Sequence, residues 1–193
     1  MTTATSILRT EHEAIMKMLD AAEETARQLK ANRKVEATTL AGLLEFLQLF
    51  ADRCHHGKEE DLLFPLLADK GMPRSGGPIA VMLHEHEIGR SFIKGMAEAA
   101  VAYSKGDAGA GMRWAEAAHG YVELLREHIY KENNVLFVMA ERMLSDADQE
   151  QLVKQFEKVE EEKLGHGTYE RLHGLMESLV TEIFGGAKVV EER

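Results

Sequence analysis

The sequence predicts an all-α protein, an antiparallel up-down-up-down four-helix bundle with two additional C-terminal helices. Three observations predict it. Apolar residues recur with the helical period along most of the chain, and no run of alternating β-branched and polar residues competes with that pattern. Only 3 prolines occur in 193 residues, and the glycines collect at a few places, so few positions interrupt a helix. Four long periodic segments are joined by short connections, which favours antiparallel neighbours in sequence order.

Helix A is expected from about Thr5 to Ala31 and helix B from about Ala37 to Asp69. The stretch Lys70 to Pro78, which holds glycines and prolines, is the next loop, and Pro78 suits the first turn of helix C, about Gly77 to Ser104. Lys105-Gly106-Asp107 makes a short turn into helix D, about Ala108 to Leu144. Ser145 followed by Asp148 resembles a capping pair that starts a fifth helix, and Gly165-His166-Gly167 interrupts before a last helix from about Tyr169 to Phe184. The expected division is a bundle over residues 1–144 and a helical extension over 145–193, packed on or beside it.

Composition limits the function classes. A hydrophobic content of 45% supports a sizeable core, and a net charge of −10 argues against nucleic acid or an anionic membrane surface as partner. The single cysteine, Cys54, excludes an internal disulfide framework and fits a reducing compartment. Neither a signal peptide nor an apolar run of membrane-spanning length is evident, so the cytoplasm is the expected location.

The chain nearly repeats itself at an offset of about 73 residues, the separation of His55 from His128. His55-His56-Gly57-Lys58-Glu59-Glu60-Asp61-Leu62-Leu63-Phe64 aligns with His128-Ile129-Tyr130-Lys131-Glu132-Asn133-Asn134-Val135-Leu136-Phe137, both reading H-x-x-K-E-x-x-[L/V]-L-F. At nearly the same offset Glu11-His12-Glu13 matches Glu85-His86-Glu87. A unit with one lone histidine and one His-x-x-x-Glu is therefore used twice, giving four histidines and two glutamates, a ligand set for two metal ions.

Helix phase shows which of these residues face the core. In helix A the stripe Leu8, Ile15, Leu19, Ala22, Ala26, Leu29 passes through His12. In helix C the stripe Ile79, Met82, Gly89, Ile93, Met96, Ala100 passes through His86, whereas His84 shares its face with Glu87, Ser91 and Lys94. In helix D, Tyr121, Leu125, His128, Glu132, Val135 and Met139 share one face, and His119 falls outside it. Helix B admits two registers. The phase through His55 and Glu59 meets Leu44, Leu47, Ala51, Leu62 and Leu66, and the phase through His56 and Glu60 meets Leu49, Leu63 and Leu67 but also Asp52. The internal alignment selects His55 and Glu59.

Imidazole with carboxylate and no thiolate suits iron, manganese or zinc rather than copper(I) or an iron–sulfur cluster. Four imidazoles and two bridging glutamates, with one oxo or hydroxo bridge, would leave each metal about five-coordinate and open to a small molecule. A single histidine on an apolar helix face is more often a hydrogen-bonded core residue than a ligand. Four of them on four helices, buried with two glutamates and no metal, would require many hydrogen-bond partners. Cys54 reads as packing, with a redox role as the alternative, most of the methionines as packing, and His166, Tyr169, Glu170 and His173 as a structural connector, with a lid or an extra ligand as the alternative.

The lone His12, His55-x-x-x-Glu59 inside HHGKEEDLLFP, His86 in the HEHEIGR segment, and His128-x-x-x-Glu132 inside HIYKENNVLF together resemble the haemerythrin-like, or HHE cation-binding, domains over roughly residues 5–143. The resemblance implies a bundle around a non-haem di-iron centre with His12, His55, Glu59, His86, His128 and Glu132 at the family's ligand positions, manganese and zinc being the less favoured metals. Two departures bear on function. Oxygen-carrying members have His-x-x-x-His on the third helix, where this chain has Arg90 four residues after His86, and His-x-x-x-x-Asp on the fourth, where it has His128-x-x-x-Glu132. A site with four histidines is more similar to the branch linked to nitric oxide and iron-centre repair. The expected function is binding of, and reaction with, oxygen, nitric oxide or hydrogen peroxide. The alternative is oxygen or iron sensing, or iron storage and delivery. An electron donor or an iron-accepting protein is the expected protein partner.

Overall fold

The computed structural model describes residues 2–185, and among them the chain is helical with no strand. Helix α1 spans Ala4–Lys30 and starts on Thr3, whose hydroxyl accepts from the Ser6 amide while the Ser6 side chain accepts in return. Helix α2 runs without a break over residues 37–69, α3 over Pro78–Ser104, α4 over residues 110–143, α5 over Asp146–Leu164 and α6 over Thr168–Gly185. Pro78 occupies the first turn of α3, where its missing N–H costs nothing. Ser145 and Asp148 form the expected reciprocal cap on α5. Gly165 and Gly167, at φ 83° and 75°, make the α5–α6 turn in a region closed to most side chains. The expected final helix is present, while residues 186–193 lie outside the described chain. No described helix is long and apolar enough to cross a membrane.

Helices α1 to α4 form the bundle. Their core is divided: one apolar cluster runs from Ala14 and Ile15 through Phe46, Met96 and Trp114, and the other gathers Ala4, Leu8, Phe64, Leu67, Ile79, Phe137 and Ala140. The layer between them is polar. The last two helices attach one to each half, α6 through Leu172, Met176, Leu179 and Ile183, and α5 through Leu152 and Phe156. Gly42 lets α6 approach α2, since a Cβ there would lie 3.2 Å from a Leu179 methyl.

The helices are not uniformly α. Helix α2 has π-helical stretches at Leu47–His56 and Glu59–Leu63, and α4 has one at Glu132–Leu136. A π turn takes roughly one residue more than an α turn, so each stretch advances the inward-facing phase. Up to and through the start of the first expanded stretch α2 follows the His55 register, with Leu44, Leu47 and Ala51 buried. Beyond that stretch it follows the His56 register, with Leu63 and Leu67 buried rather than Leu62 and Leu66. Each of the two registers therefore holds over half of the helix. In α4 the same slip corrects the expected stripe: Val135 is 48% exposed and Leu136 is buried. Pro65 is not what creates the π turn, because the aligned position in α4 is Val138 and the turn forms there too.

Candidate metal centre

The polar layer is where the two halves of the repeat meet. His12, His55, Glu59, His86, His128 and Glu132 all lie there, none more than 2% exposed, and His56 joins them at 3%. Two overlapping groups are close enough to hold a metal ion each: His12, His55, Glu59 and Glu132, and His56, Glu59, His86 and His128. Glu59 belongs to both. His84 and His119 are on the surface, as helix phase predicts, and His166 is exposed in the α5–α6 turn.

Four imidazoles are aimed by groups behind them. His55 Nδ1 donates to Glu11 (2.8 Å), His86 Nδ1 to Glu60 (2.6 Å), His128 Nδ1 to Glu85 (2.9 Å) and His12 Nδ1 to Asn133 Oδ1 (2.9 Å). Each acceptor fixes the proton on Nδ1 and leaves the Nε2 lone pair facing inward. The four Nε2 atoms converge in pairs, His12 on His55 at 2.9 Å and His86 on His128 at 3.1 Å. Two lone pairs at that separation repel unless a proton or a cation lies between them.

Each glutamate spans the pairs. Glu59 puts Oε1 3.7 Å from His55 Nε2 and Oε2 3.6 Å from His86 Nε2, and Glu132 puts Oε2 3.2 Å from His12 Nε2 and Oε1 3.3 Å from His128 Nε2. None of these four buried carboxylate oxygens makes a hydrogen bond among the described residues. Such groups are rarely left orphaned in a folded interior. Burial and the neighbouring Glu132 push the Glu59 carboxyl well above its usual range. Burial acts the same way on Glu132, but His128 and His12 outweigh it and hold that carboxyl well below. Two adjacent carboxylates with converging imidazole lone pairs are a donor set suited to divalent or trivalent metal cations.

The acceptors behind the histidines follow the repeat. The glutamate preceding each lone histidine, Glu11 or Glu85, accepts from the His-x-x-x-Glu histidine of the other motif and from the lysine three residues beyond it, Lys58 or Lys131. The residue following each ligand-type glutamate, Glu60 or Asn133, accepts from the lone histidine. Burial would raise the carboxyls of Glu11, Glu60 and Glu85, yet histidine N–H groups with Lys58, Arg90 and Lys131 hold them below the usual range. Arg90 bridges Glu60 (2.6 Å) and Asp52 (2.8 Å). These backing residues were legible in the repeat as Glu-His and His-x-x-Lys-Glu, and sequence reasoning passed over them.

His56 is the addition the sequence reading missed. It aligns with Ile129, so the repeat carries no trace of it, and helix phase set it against His55 as an alternative. The π stretch ending at His56 narrows the angle between consecutive residues and lets both face the layer. Its ring stacks on His86 with centroids 3.9 Å apart, and its Nδ1 lies 3.5 Å from Asp52 without a hydrogen bond. A fifth imidazole therefore lies in the layer, at position 56 and not at position 90.

Burial and its imidazole neighbours depress His56 well below the ordinary value, and burial with His12 lowers His55 to about 4, so both are neutral and ready to ligate. His128 is the opposite case: burial lowers it, but Glu132 and Glu85 win and raise it to about 9. Cys54 is 1% exposed, with its thiol pushed up to about 12 by burial, which leaves it a packing residue.

Fold and layer define a class: four-helix bundles whose interior carboxylates and histidines hold metal. Residues 3–140 match the model of the Hemerythrin HHE cation binding domain, and the chain belongs to that metal-binding family. A 106-residue stretch is 34% identical to the iron-sulfur cluster repair protein YtfE of Dickeya chrysanthemi (strain Ech1591), covering 52% of this chain and 48% of the relative. The chain therefore spans about half the length of that curated relative. No solved structure matches it.

Proposed function

We propose that the polar layer holds two iron ions and that the loaded protein binds and reacts with a small diatomic or peroxide: oxygen, nitric oxide or hydrogen peroxide. The observation that carries the binuclear part is the division of each carboxylate, with one oxygen of Glu59 and of Glu132 directed to the His12–His55 pair and the other to the His86–His128 pair. His12, His55, His56, Glu59, His86, His128 and Glu132 would hold the ions. A bound iron pair supplies Lewis acidity and electrons to a small ligand. The side chains contribute the rest: Glu11, Glu60, Glu85 and Asn133 orient the imidazoles, and the apolar clusters on either side exclude water.

Burial supports a ligand of diatomic size, since every group in the layer is at most 3% exposed. The two halves are not equal. His56, His86 and His128 crowd one position, and His12 and His55 leave fewer nitrogens at the other, where the small ligand would enter. Likeness to an iron-sulfur cluster repair protein supports a second reading, in which the protein stores iron and hands it to an acceptor protein without turnover.

Rapid mixing of anaerobic, ferrous-loaded protein with each of the three molecules, followed by product analysis, separates the readings. Conversion of nitric oxide to nitrous oxide, or consumption of peroxide with turnover, is the result expected. Quantitative return of unchanged gas would make the protein a carrier. Inertness toward all three, with iron passing to a chelator or an apo-protein, would favour delivery.

A further inference from the structure

The two backing arms of the repeat are chemically alike and differently covered. Glu85 and Lys131 stand near the surface, their side chains 13% and 35% exposed, with only each other and His128 as partners in the arm among the described residues. Glu11 and Lys58 are sealed, at 1% and 0%. What seals them is the appended hairpin. Glu160 of α5 accepts from Lys58 Nζ at 2.5 Å, and the rings of Phe156, one turn earlier on α5, and Tyr169, in the first turn of α6, face the same ammonium at 5.7 and 5.8 Å. A Cβ on the neighbouring Gly57 would meet Lys163 Nζ of α5 at 2.7 Å, so α5 runs tightly over the histidine-bearing segment of α2. Lys163 is anchored there by Asp61 at 2.5 Å.

The contacts form one chain: Glu160 to Lys58, Lys58 to Glu11, Glu11 to His55 Nδ1. We infer that Glu160 is a positioning residue for His55, and that docking of the α5–α6 hairpin and metal binding at the His12–His55 half of the layer are thermodynamically linked. The inference rests on the binuclear reading above. The physical steps are short. Lys58 is shared between two carboxylates, so the charge Glu160 contributes determines how strongly the ammonium draws on Glu11. Glu11 in turn determines how firmly the His55 proton is held on Nδ1 and how available the Nε2 lone pair is. Among the described residues the pseudo-equivalent arm has no such third carboxylate, and the hairpin residues described touch one half only. Linkage is reciprocal: an ion bound between His12 and His55 tightens the hairpin by the same factor by which the docked hairpin tightens the ion.

Anaerobic stepwise titration of the full-length metal-free chain with cobalt(II), followed by its visible ligand-field absorption, is the test. Glu160→Ala is expected to weaken one of the two binding steps on the order of tenfold and to alter the absorption belonging to that step, with the other step unchanged. Glu160→Gln, which keeps an oxygen for Lys58, is expected to recover most of the loss, and Glu161→Ala, at an exposed neighbouring position, to match the native protein. Cobalt is expected to slow amide hydrogen exchange across residues 146–164 in the native chain and to do so less in Glu160→Ala. The inference is overturned if Glu160→Ala binds both ions with native affinity and spectrum. It is equally overturned if both steps weaken together in proportion to a lower unfolding midpoint, which is all that a purely structural contact would do. A native chain that takes up only one cobalt ion would overturn the binuclear reading itself.

Discussion

Glu59 and Glu132 are two fully buried carboxyl groups that make no hydrogen bond among the described residues. Neutralising one should therefore act in opposite directions on binding and on the metal-free fold. Glu59→Gln is expected to abolish retention of metal at both positions, since both groups contain that residue. It is also expected to stabilise the metal-free protein at neutral pH, as read by chemical denaturation, because the Glu59 carboxyl, held well above its usual range, must take up a proton on folding that the amide does not need. A loss of stability alongside the loss of metal would mean that the layer is an ordinary hydrogen-bonded core. His128 gives a pH signature. With its pKa raised to about 9, it is protonated in the metal-free protein at neutral pH and must lose that proton to ligate. Affinity at its half of the layer should rise by at least about tenfold per pH unit, more where Glu59 is still protonated, and lose the His128 contribution above about pH 9, measured by competition with a chelator. The sign for the metal-free fold is the reverse: a raised histidine pKa stabilises fully below about 6.5 and is lost as pH climbs through about 9. Most of this residue-scale detail was legible in the sequence, because the duplication displays the ligand-type residues and their backing Glu and Lys side by side. His56 was not, since its counterpart is an isoleucine and its orientation depends on a local change of helix type.

Helix type is the feature at the scale of elements that periodicity alone misplaces. Strict α phase carries the stripe of α4 from Glu132 to Val135 and Met139, while the π turn at Glu132–Leu136 moves it to Leu136, Phe137 and Ala140. Substitutions read this directly. Val135→Ser is expected to change stability by no more than about 0.5 kcal/mol, and Leu136→Ala to cost about 2–5 kcal/mol, in thermal or denaturant unfolding. The reverse order would place α4 back in uniform α geometry. A π turn leaves its backbone bonding less favourable than an α turn and is retained where function needs the altered side-chain directions. Its recurrence at both copies of the Lys-Glu-x-x-x-Leu-Phe stretch, with Pro65 in one and Val138 in the other, ties it to the layer it shapes. Sequence reasoning found the helices and their caps, Ser145 with Asp148 among them. It could not find the expanded turns, because an inserted residue leaves no compositional mark and shows only as two registers that each fit half a helix.

At the scale of the whole molecule, the bundle is two apolar clusters held apart by a charged plane, and the hairpin of α5 and α6 fastens one helix to each cluster. Metal held by that plane would be a structural partner of every helix of the bundle at once. Filling the layer should raise the unfolding midpoint, because ions that bind only the folded chain stabilise it by mass action, about 2.7 kcal/mol at a hundredfold excess over the dissociation constant. Chelation should reverse the shift. The bundle and its ligand-type helices were predictable from periodicity and repetition. How α5 and α6 sit was not, since their apolar faces carry no signal of which helix receives them, and the burial of Lys58 beneath Glu160 follows only from that docking. The central claim is that one plane of the bundle holds two iron ions sharing Glu59. Its most direct test is anaerobic ferrous titration of the metal-free chain, with iron per chain counted after removal of excess, in the native protein and in Glu59→Gln. Two iron ions per native chain and neither retained in the variant is the predicted result. A single iron at full occupancy, or zinc displacing iron from both positions when the two are supplied together, would contradict it.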